Sequence, residues 1–131
     1  MKKNWNGLNI LIVEDDVYLL EVLCDYFKRT KATVFQALNG EEAFAIVDNS
    51  EIDFVLSDVQ MPVMDGVELL KKIRIKRPDV PIILLATGQS QLTKESALEL
   101  GASGLIHKPF NLTELSEEIE KLLASRLKLQ A

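Results

Sequence analysis

Residues 52–66 read Ile52-Asp53-Phe54-Val55-Leu56-Ser57-Asp58-Val59-Gln60-Met61-Pro62-Val63-Met64-Asp65-Gly66, and this stretch decides the fold. Phe54-Val55-Leu56 is a short, partly β-branched apolar run bounded by polar residues, which reads as a buried strand. It delivers the chain to Asp58, the first acidic side chain beyond the run. Pro62 has no N–H to donate and stops a simple continuation of the ladder. Asp65-Gly66 supplies turn chemistry, and Val67, Leu70 and Ile73 follow at helical spacing, predicting a helix from Gly66 to Lys76. The unit is strand, acid, loop, helix.

Moving outward, the unit recurs on both sides. Upstream, Asn9 to Val13 is a continuous apolar strand of the kind that parallel sheets bury on both faces. It exits into Glu14-Asp15-Asp16. Leu20, Leu23, Cys24 and Phe27 then mark an amphipathic helix from Asp16, its N-cap, to Thr30. Ala32 to Ala37 is a second strand, and Asn39-Gly40 turns into a helix through Ala43, Ile46 and Val47. Downstream, Arg77-Pro78-Asp79 is a loop, and Pro81 to Ala86 is a strand ending at Thr87-Gly88. A helix over 91–100 stops at Gly101. Gly104 to His107 is a fifth strand ending at Lys108-Pro109. The last helix begins near Asn111, which forms a capping-box pattern with Glu114. Five strands alternating with five helices predict an α/β domain with a doubly wound parallel sheet.

With 131 residues, the chain suits a single domain with a core over about 8–124 and a tail, or the start of a linker, over 125–131. Residues 1–8 read as a short leader in which Trp5 packs against the first strand. A net charge of −5 argues against nucleic acid or anionic membrane as a direct partner. Cys24 is the single cysteine, so no internal disulfide can form and the cytoplasm is the expected compartment. Residues 10–13 are too short for a signal-peptide core, and no stretch approaches the ~18 apolar residues of a membrane span.

The polar residues collect at the strand ends. Strand one ends in Glu14-Asp15, strand three in Asp58, strand four in Thr87 and strand five in Lys108. Function in open α/β sheets gathers outside the carboxyl ends of strands, where strand order reverses. In the order 2-1-3-4-5, Asp15 and Asp58 face each other across that crevice. Converging carboxylates repel, and a hard divalent cation relieves them; Mg²⁺, which keeps several waters, suits the site better than Ca²⁺. Cation, ammonium and hydroxyl together form a receptor for a phosphoryl group, with Asp58 as the candidate nucleophile.

Over residues 8–124 the chain resembles the receiver domain of two-component response regulators. The blocks that carry the likeness are residues 10–16 (Ile-Leu-Ile-Val-Glu-Asp-Asp), 57–66, 86–88 (Ala-Thr-Gly) and 101–110 (Gly-Ala-Ser-Gly-Leu-Ile-His-Lys-Pro-Phe). The resemblance implies the flavodoxin-like order 2-1-3-4-5, of which the family's chemotaxis member is a standing example. It implies that Asp58 accepts a phosphoryl group from a sensor histidine kinase or a phosphotransfer protein. Asp15, Asp58 and the backbone carbonyl of Gln60 would hold Mg²⁺ (or Mn²⁺), with Glu14 acting through a bound water. Thr87 would hydrogen-bond a phosphoryl oxygen. Lys108, set before a cis proline, would pair with Asp58 or its phosphate. The family catalyses only its own phosphorylation and dephosphorylation, and signals through helix 4, strand 5 and helix 5 to a downstream protein or an attached effector domain.

Leu105 departs from the family, which often has tyrosine or phenylalanine there; leucine offers neither hydroxyl nor ring. Gln60 and Gln89, at positions that tune dephosphorylation in the family, cannot act as general bases. Elsewhere His107 reads as a packed or partly exposed strand residue and Cys24 as a small core hydrophobe. The basic residues between Lys71 and Arg77 read as a solvated helix face or a docking surface. Met61 and Met64 are expected to pack over the loop. Two rivals fit less well. A haloacid dehalogenase-type phosphatase needs a second acid where Gln60 stands, and a flavodoxin-like cofactor module needs a phosphate loop where three acids stand.

Overall fold

The computed structural model describes residues 4–130, with side chains as far as residue 124. The chain alternates β1 (Asn9–Val13), α1 (Val17–Lys28), β2 (Thr33–Ala37), α2 (Gly40–Asn49), β3 (Phe54–Asp58), α3 (Gly66–Lys76), β4 (Ile82–Ala86), α4 (Lys94–Glu99), β5 (Gly104–His107) and α5 (Leu112–Gln130). All strand pairs are parallel and the sheet order is β2-β1-β3-β4-β5, as expected. β3 and β4 are buried at every residue, which explains why both read as unbroken apolar runs rather than alternating ones.

Alternation of side chains sends successive residues of each strand to opposite faces, and two cores result. One gathers Leu11, Val55 and Leu84 with Val47 and Leu70 of α2 and α3. The other gathers Ile12, Leu56 and Leu85 with Leu23, Phe27 and Ile119 of α1 and α5. Trp5 belongs to the second core and stacks on Phe27 at 5.8 Å, so its packing role holds, with α1 supplying the aromatic partner. Residues 1–3 of the expected leader lie outside the described residues, as does Ala131 of the tail; helix α5 continues through Gln130. No helix among the described residues is long and apolar enough to cross a membrane.

Two local readings need correction. Helix α4 starts at Lys94, three residues later than the apolar spacing predicts, because Thr93 caps it. The Ser96 N–H donates to Thr93 Oγ1 (3.0 Å) and the Thr93 N–H to Ser96 Oγ (2.9 Å). The basic run of α3 is not a uniform solvated face. Arg74 Nε donates to Gly101 O (2.8 Å), Arg77 Nη2 donates to Val47 O and Ser50 O (3.2 and 3.0 Å), and Lys76 pairs with Asp48. Lys72 and Lys76 also lie over the Phe44 ring. These long side chains tie α3 to α2 and to the end of α4.

Candidate functional site

The carboxyl ends of β1, β3 and β5 bring Glu14, Asp15, Asp58 and Lys108 together in one crevice, and Thr87 stands just past the end of β4, the strand beside β3. Backbone bonds just past each strand hold the side chains there. Glu14 N donates to Ala37 O (3.1 Å), Val59 N to Leu85 O (2.9 Å) and Lys108 N to Ala86 O (2.7 Å). The third acid of the first run, Asp16, is used as a cap: its Oδ1 accepts from Tyr18 N and Leu19 N at the start of α1. The Lys108–Pro109 bond is cis, as expected.

The loop after Asp58 is fixed by two glycines. Gly66 N donates to Val59 O (2.8 Å), and a Cβ on Gly66 would stand 2.2 Å from Asp58 O. Gly40 N donates to Met64 O (3.1 Å), and a Cβ there would stand 2.7 Å from the same oxygen. Only hydrogen fits at either place. Ser57 is buried and its hydroxyl donates to Asp58 O (2.9 Å), a further restraint on the peptide that carries the central carboxylate. Met61 and Met64 are half-buried and pack against the core, not over the loop as their positions predict.

Glu14 is 1% exposed and Asp58 4%, an unusual burial for two carboxylates. Lys108 Nζ bridges them, 3.0 Å from Glu14 Oε1 and 3.2 Å from Asp58 Oδ1. The first contact is a hydrogen bond; the second has the distance of an ion pair without a hydrogen bond's alignment. Glu14 Oε2 accepts from Asp16 N (3.1 Å). Oxygens of Glu14, Asp15 and Asp58 all lie within 4.8 Å of one another.

Burial pushes the Glu14 carboxyl up from an ordinary 4.5 to about 7, with the charge of Asp58 adding to the rise and Asp16 N–H and Lys108 opposing it. Burial also raises Asp58, against Lys108 and with repulsion from Asp15. Burial alone would lower Lys108, but its bond to Glu14 and the two negative charges prevail and raise it. The direction expected for a carboxylate cluster is therefore present. Its leading cause is desolvation, and mutual repulsion comes second.

Two oxygens in the crevice are buried without a hydrogen-bond partner: Asp58 Oδ1 and Thr87 Oγ1. Asp58 Oδ1 has the charge of Lys108 at 3.2 Å but no hydrogen bond, and Thr87 Oγ1 has neither; a buried oxygen without a hydrogen bond costs about 1–3 kcal/mol, so both have capacity for a further partner. A hard cation against the acids and an anionic acceptor against Thr87 and Lys108 fit that need. Gln60 and Gln89 are exposed in the loops two residues past Asp58 and Thr87.

Of the residues predicted for the site, Glu14, Asp15, Asp58 and Lys108 are brought within contact of one another, while Thr87 and Gln60 stand in the loops that leave β4 and β3. Sequence reasoning missed the Glu14–Lys108 bond, which spans 94 residues, and the restraints at Ser57 and Gly66. Gly66 was visible only as a turn residue. His107 is exposed, and Cys24 is buried with Sγ 3.4 Å from Gln36 Oε1; neither reaches the crevice acids.

The family model described as "Response regulator receiver domain" matches residues 10–120. A probable transcriptional regulator, ycf27 of Cyanidium caldarium, is 37% identical over 122 residues, which cover 93% of this chain and 49% of that protein. The chain spans about half the length of the curated relatives it matches first, 49% and 57% in two instances. Among solved structures, the response regulator TrrA of Thermotoga maritima in complex with Mg²⁺–BeF matches with TM-score 0.79 and 32% identity, over 88% of this chain and 99% of that one. The receiver domain of Ssk1, solved with the histidine phosphotransfer protein Ypd1 of Saccharomyces cerevisiae, matches with TM-score 0.82 and 31% identity, over 92% and 91%.

Proposed function

This chain belongs to the response regulator receiver domain family of two-component signalling, and from that premise we propose that Asp58 is its phosphoacceptor. The observation that carries the proposal is the buried Asp58 carboxylate with the Lys108 ammonium 3.2 Å from its Oδ1, together with two buried oxygens, Asp58 Oδ1 and Thr87 Oγ1, that make no hydrogen bond. An Asp58 oxygen attacks the phosphorus of a phosphohistidine; the O–P bond forms as the N–P bond breaks, and the imidazole leaves with that electron pair and takes a proton from solvent. Thr87 donates its hydroxyl to one phosphoryl oxygen and Lys108 pairs with another. Glu14, which already holds Lys108 by a hydrogen bond, keeps the ammonium aimed at Asp58 when its partner changes from carboxylate to acyl phosphate.

Mg²⁺ fits the acids: Asp15, Asp58 and the Gln60 carbonyl would hold it, with Glu14 behind a water. When bound it would neutralise charge on the carboxylates and the incoming phosphoryl group. The Mg²⁺–BeF complex of TrrA supports that choice. The chemistry is confined to the domain's own aspartate, over a single domain with its core at about 8–124. A cytoplasmic location goes with this reading and with the lone buried Cys24.

The donor is a histidine kinase or a phosphotransfer protein. Val17 and Tyr18 directly follow the crevice acids on α1 and are 64% and 84% exposed, an apolar surface beside the acceptor. The complex of Ssk1 with Ypd1 supports a partner of that type. The test is incubation with Mg²⁺ and a small acyl phosphate, read by intact-mass and peptide mass spectrometry. One phosphoryl group on Asp58 is expected, with none on Asp58→Asn. Equal uptake by the variant at another residue overturns the assignment.

A further inference from the structure

α1 packs in the core on one face of the sheet and α2 in the core on the other. A cavity of about 530 Å³ is lined by residues of both helices and by the end of β2, so it lies across the outer edge of that strand. β2 is the terminal strand on this side and pairs with β1 alone among the described strands. Thr33 N donates to Leu8 O (2.9 Å) and Ala37 O accepts from Glu14 N (3.1 Å), so Thr33, Phe35 and Ala37 turn their backbone groups toward β1. The pleat then turns the N–H and C=O of Val34 and Gln36 outward, and Gln36 lines the cavity.

Edge strands are ordinarily blunted by charged side chains, proline or a bulge. Thr33-Val34-Phe35-Gln36-Ala37 carries neither charge nor proline, and its pairing with β1 runs in step over all five residues, without a bulge. The edge is open to a further strand. Beside it the cavity floor is apolar, with Leu20 and Cys24 buried and Leu38 41% exposed. The rim is acidic: Glu21, Asp25 and Glu42 are exposed, and Lys28 is the single cation among the lining residues. Among the described residues only Glu14, Asp15 and Asp58 gather three carboxylates within 4.8 Å, so the rim acids are spread along the groove and do not form a metal site.

We propose that the outer edge of β2 is a docking site for an extended segment of a partner protein, in which lysine or arginine alternates with apolar residues. The segment adds a sixth strand through main-chain bonds to Val34 and Gln36. Its basic side chains lie toward α1, their stems over Leu20 and Cys24 and their charges at Glu21 and Asp25, while its apolar side chains lie toward α2 against Leu38. Glu42 adds to the same field. A second copy of this chain is a poor occupant, because pairing two β2 edges about a two-fold axis sets rim acids against rim acids. None of Glu14, Asp15, Asp58, Thr87 and Lys108 lines the groove, so the proposal stands apart from the phosphoacceptor reading.

The test uses the full chain and two fluorescent peptides of about seven residues, one alternating lysine with valine and one alternating glutamate with valine, followed by anisotropy. The lysine peptide should bind at least about tenfold tighter, and Glu21→Lys with Asp25→Lys should remove that preference. Glu117→Lys with Glu118→Lys, at the β5 edge, changes net charge equally and should leave it within about twofold. Strand addition is read from the peptide itself. N-methyl groups on its lysines or on its valines remove one alternate set of donors; one of these two peptides should lose at least about tenfold in affinity and the other stay within about threefold. Gln36→Pro removes an outward N–H and leaves the ladder to β1 in place, and it should weaken binding by a similar factor. Equal binding of the two charge types, equal loss from the two double variants, or indifference to both methylation patterns overturns the proposal. So does a dimer of the chain itself in sedimentation that Gln36→Pro abolishes.

Discussion

The two ends of the sheet treat their polar groups in opposite ways. At the amino end of the strands, polar side chains find partners inside the chain, with the buried Trp5 Nε1 as the exception. Asp53 Oδ2 accepts from Asn9 N (2.8 Å), Ser103 Oγ accepts from Ile82 N (3.1 Å), and Arg74 and Arg77 donate to the carbonyls of Gly101 and Ser50 in the loops around them. At the carboxyl end, two carboxylates are buried with elevated pKa values and two oxygens have no hydrogen-bond partner at all. The first end is built for stability. The second holds a charge arrangement that the fold tolerates at a cost, as functional sites often do.

The largest effect expected from breaking this contrast is at Gly66. Gly66→Ala puts a methyl 2.2 Å from Asp58 O and 3.0 Å from Val59 Cα, both backbone atoms that cannot swing aside. A loss of about 3 kcal/mol is expected, with weakened phosphoryl uptake because the acceptor's own peptide must move. Chemical denaturation and uptake measured on the same protein check both.

Next is pH. Glu14 has a folded pKa of about 7 against an ordinary 4.5, so folding favours its protonated form. That contribution is fully present below 4.5 and is lost as pH rises through 7. In chelator, stability of the wild type relative to Glu14→Gln should rise by about 2–3 kcal/mol between pH 8 and pH 4.5. A flat difference across that window would falsify the burial account of Glu14.

At the amino end, Arg74→Ala removes the bonds to Gly101 O and Arg77 O and should cost about 2 kcal/mol. Phosphoryl uptake should be unchanged, since nothing in the crevice touches Arg74. A variant that folds well and loses uptake would show the two ends to be coupled.

The smallest effect has the opposite sign. Asp58→Asn removes a buried charge and keeps the shape, so the metal-free protein should gain about 1 kcal/mol while its stabilisation by Mg²⁺ shrinks. Thermal melts with Mg²⁺ or chelator at fixed ionic strength decide it; an unchanged Mg²⁺ increment separates Asp58 from the cation.

The strand runs, the stripe of α1 and the acids after Val13 and Leu56 are legible in the sequence because each is a matter of neighbours. Burial of a parallel strand demands consecutive apolar residues, and a helix repeats its inner face every three or four. The topology places whatever follows each strand on one edge, so Asp15, Asp58, Thr87 and Lys108 can be found together before any contact is known. Tertiary structure alone decided the rest. Glu14 is buried and bonded to a lysine 94 residues away. Arg74 faces a carbonyl rather than water, and Asp58 Oδ1 and Thr87 Oγ1 are left without a hydrogen bond. Burial, which sets the pKa of Glu14, is a property of everything packed around a group, and no local pattern of residues encodes it.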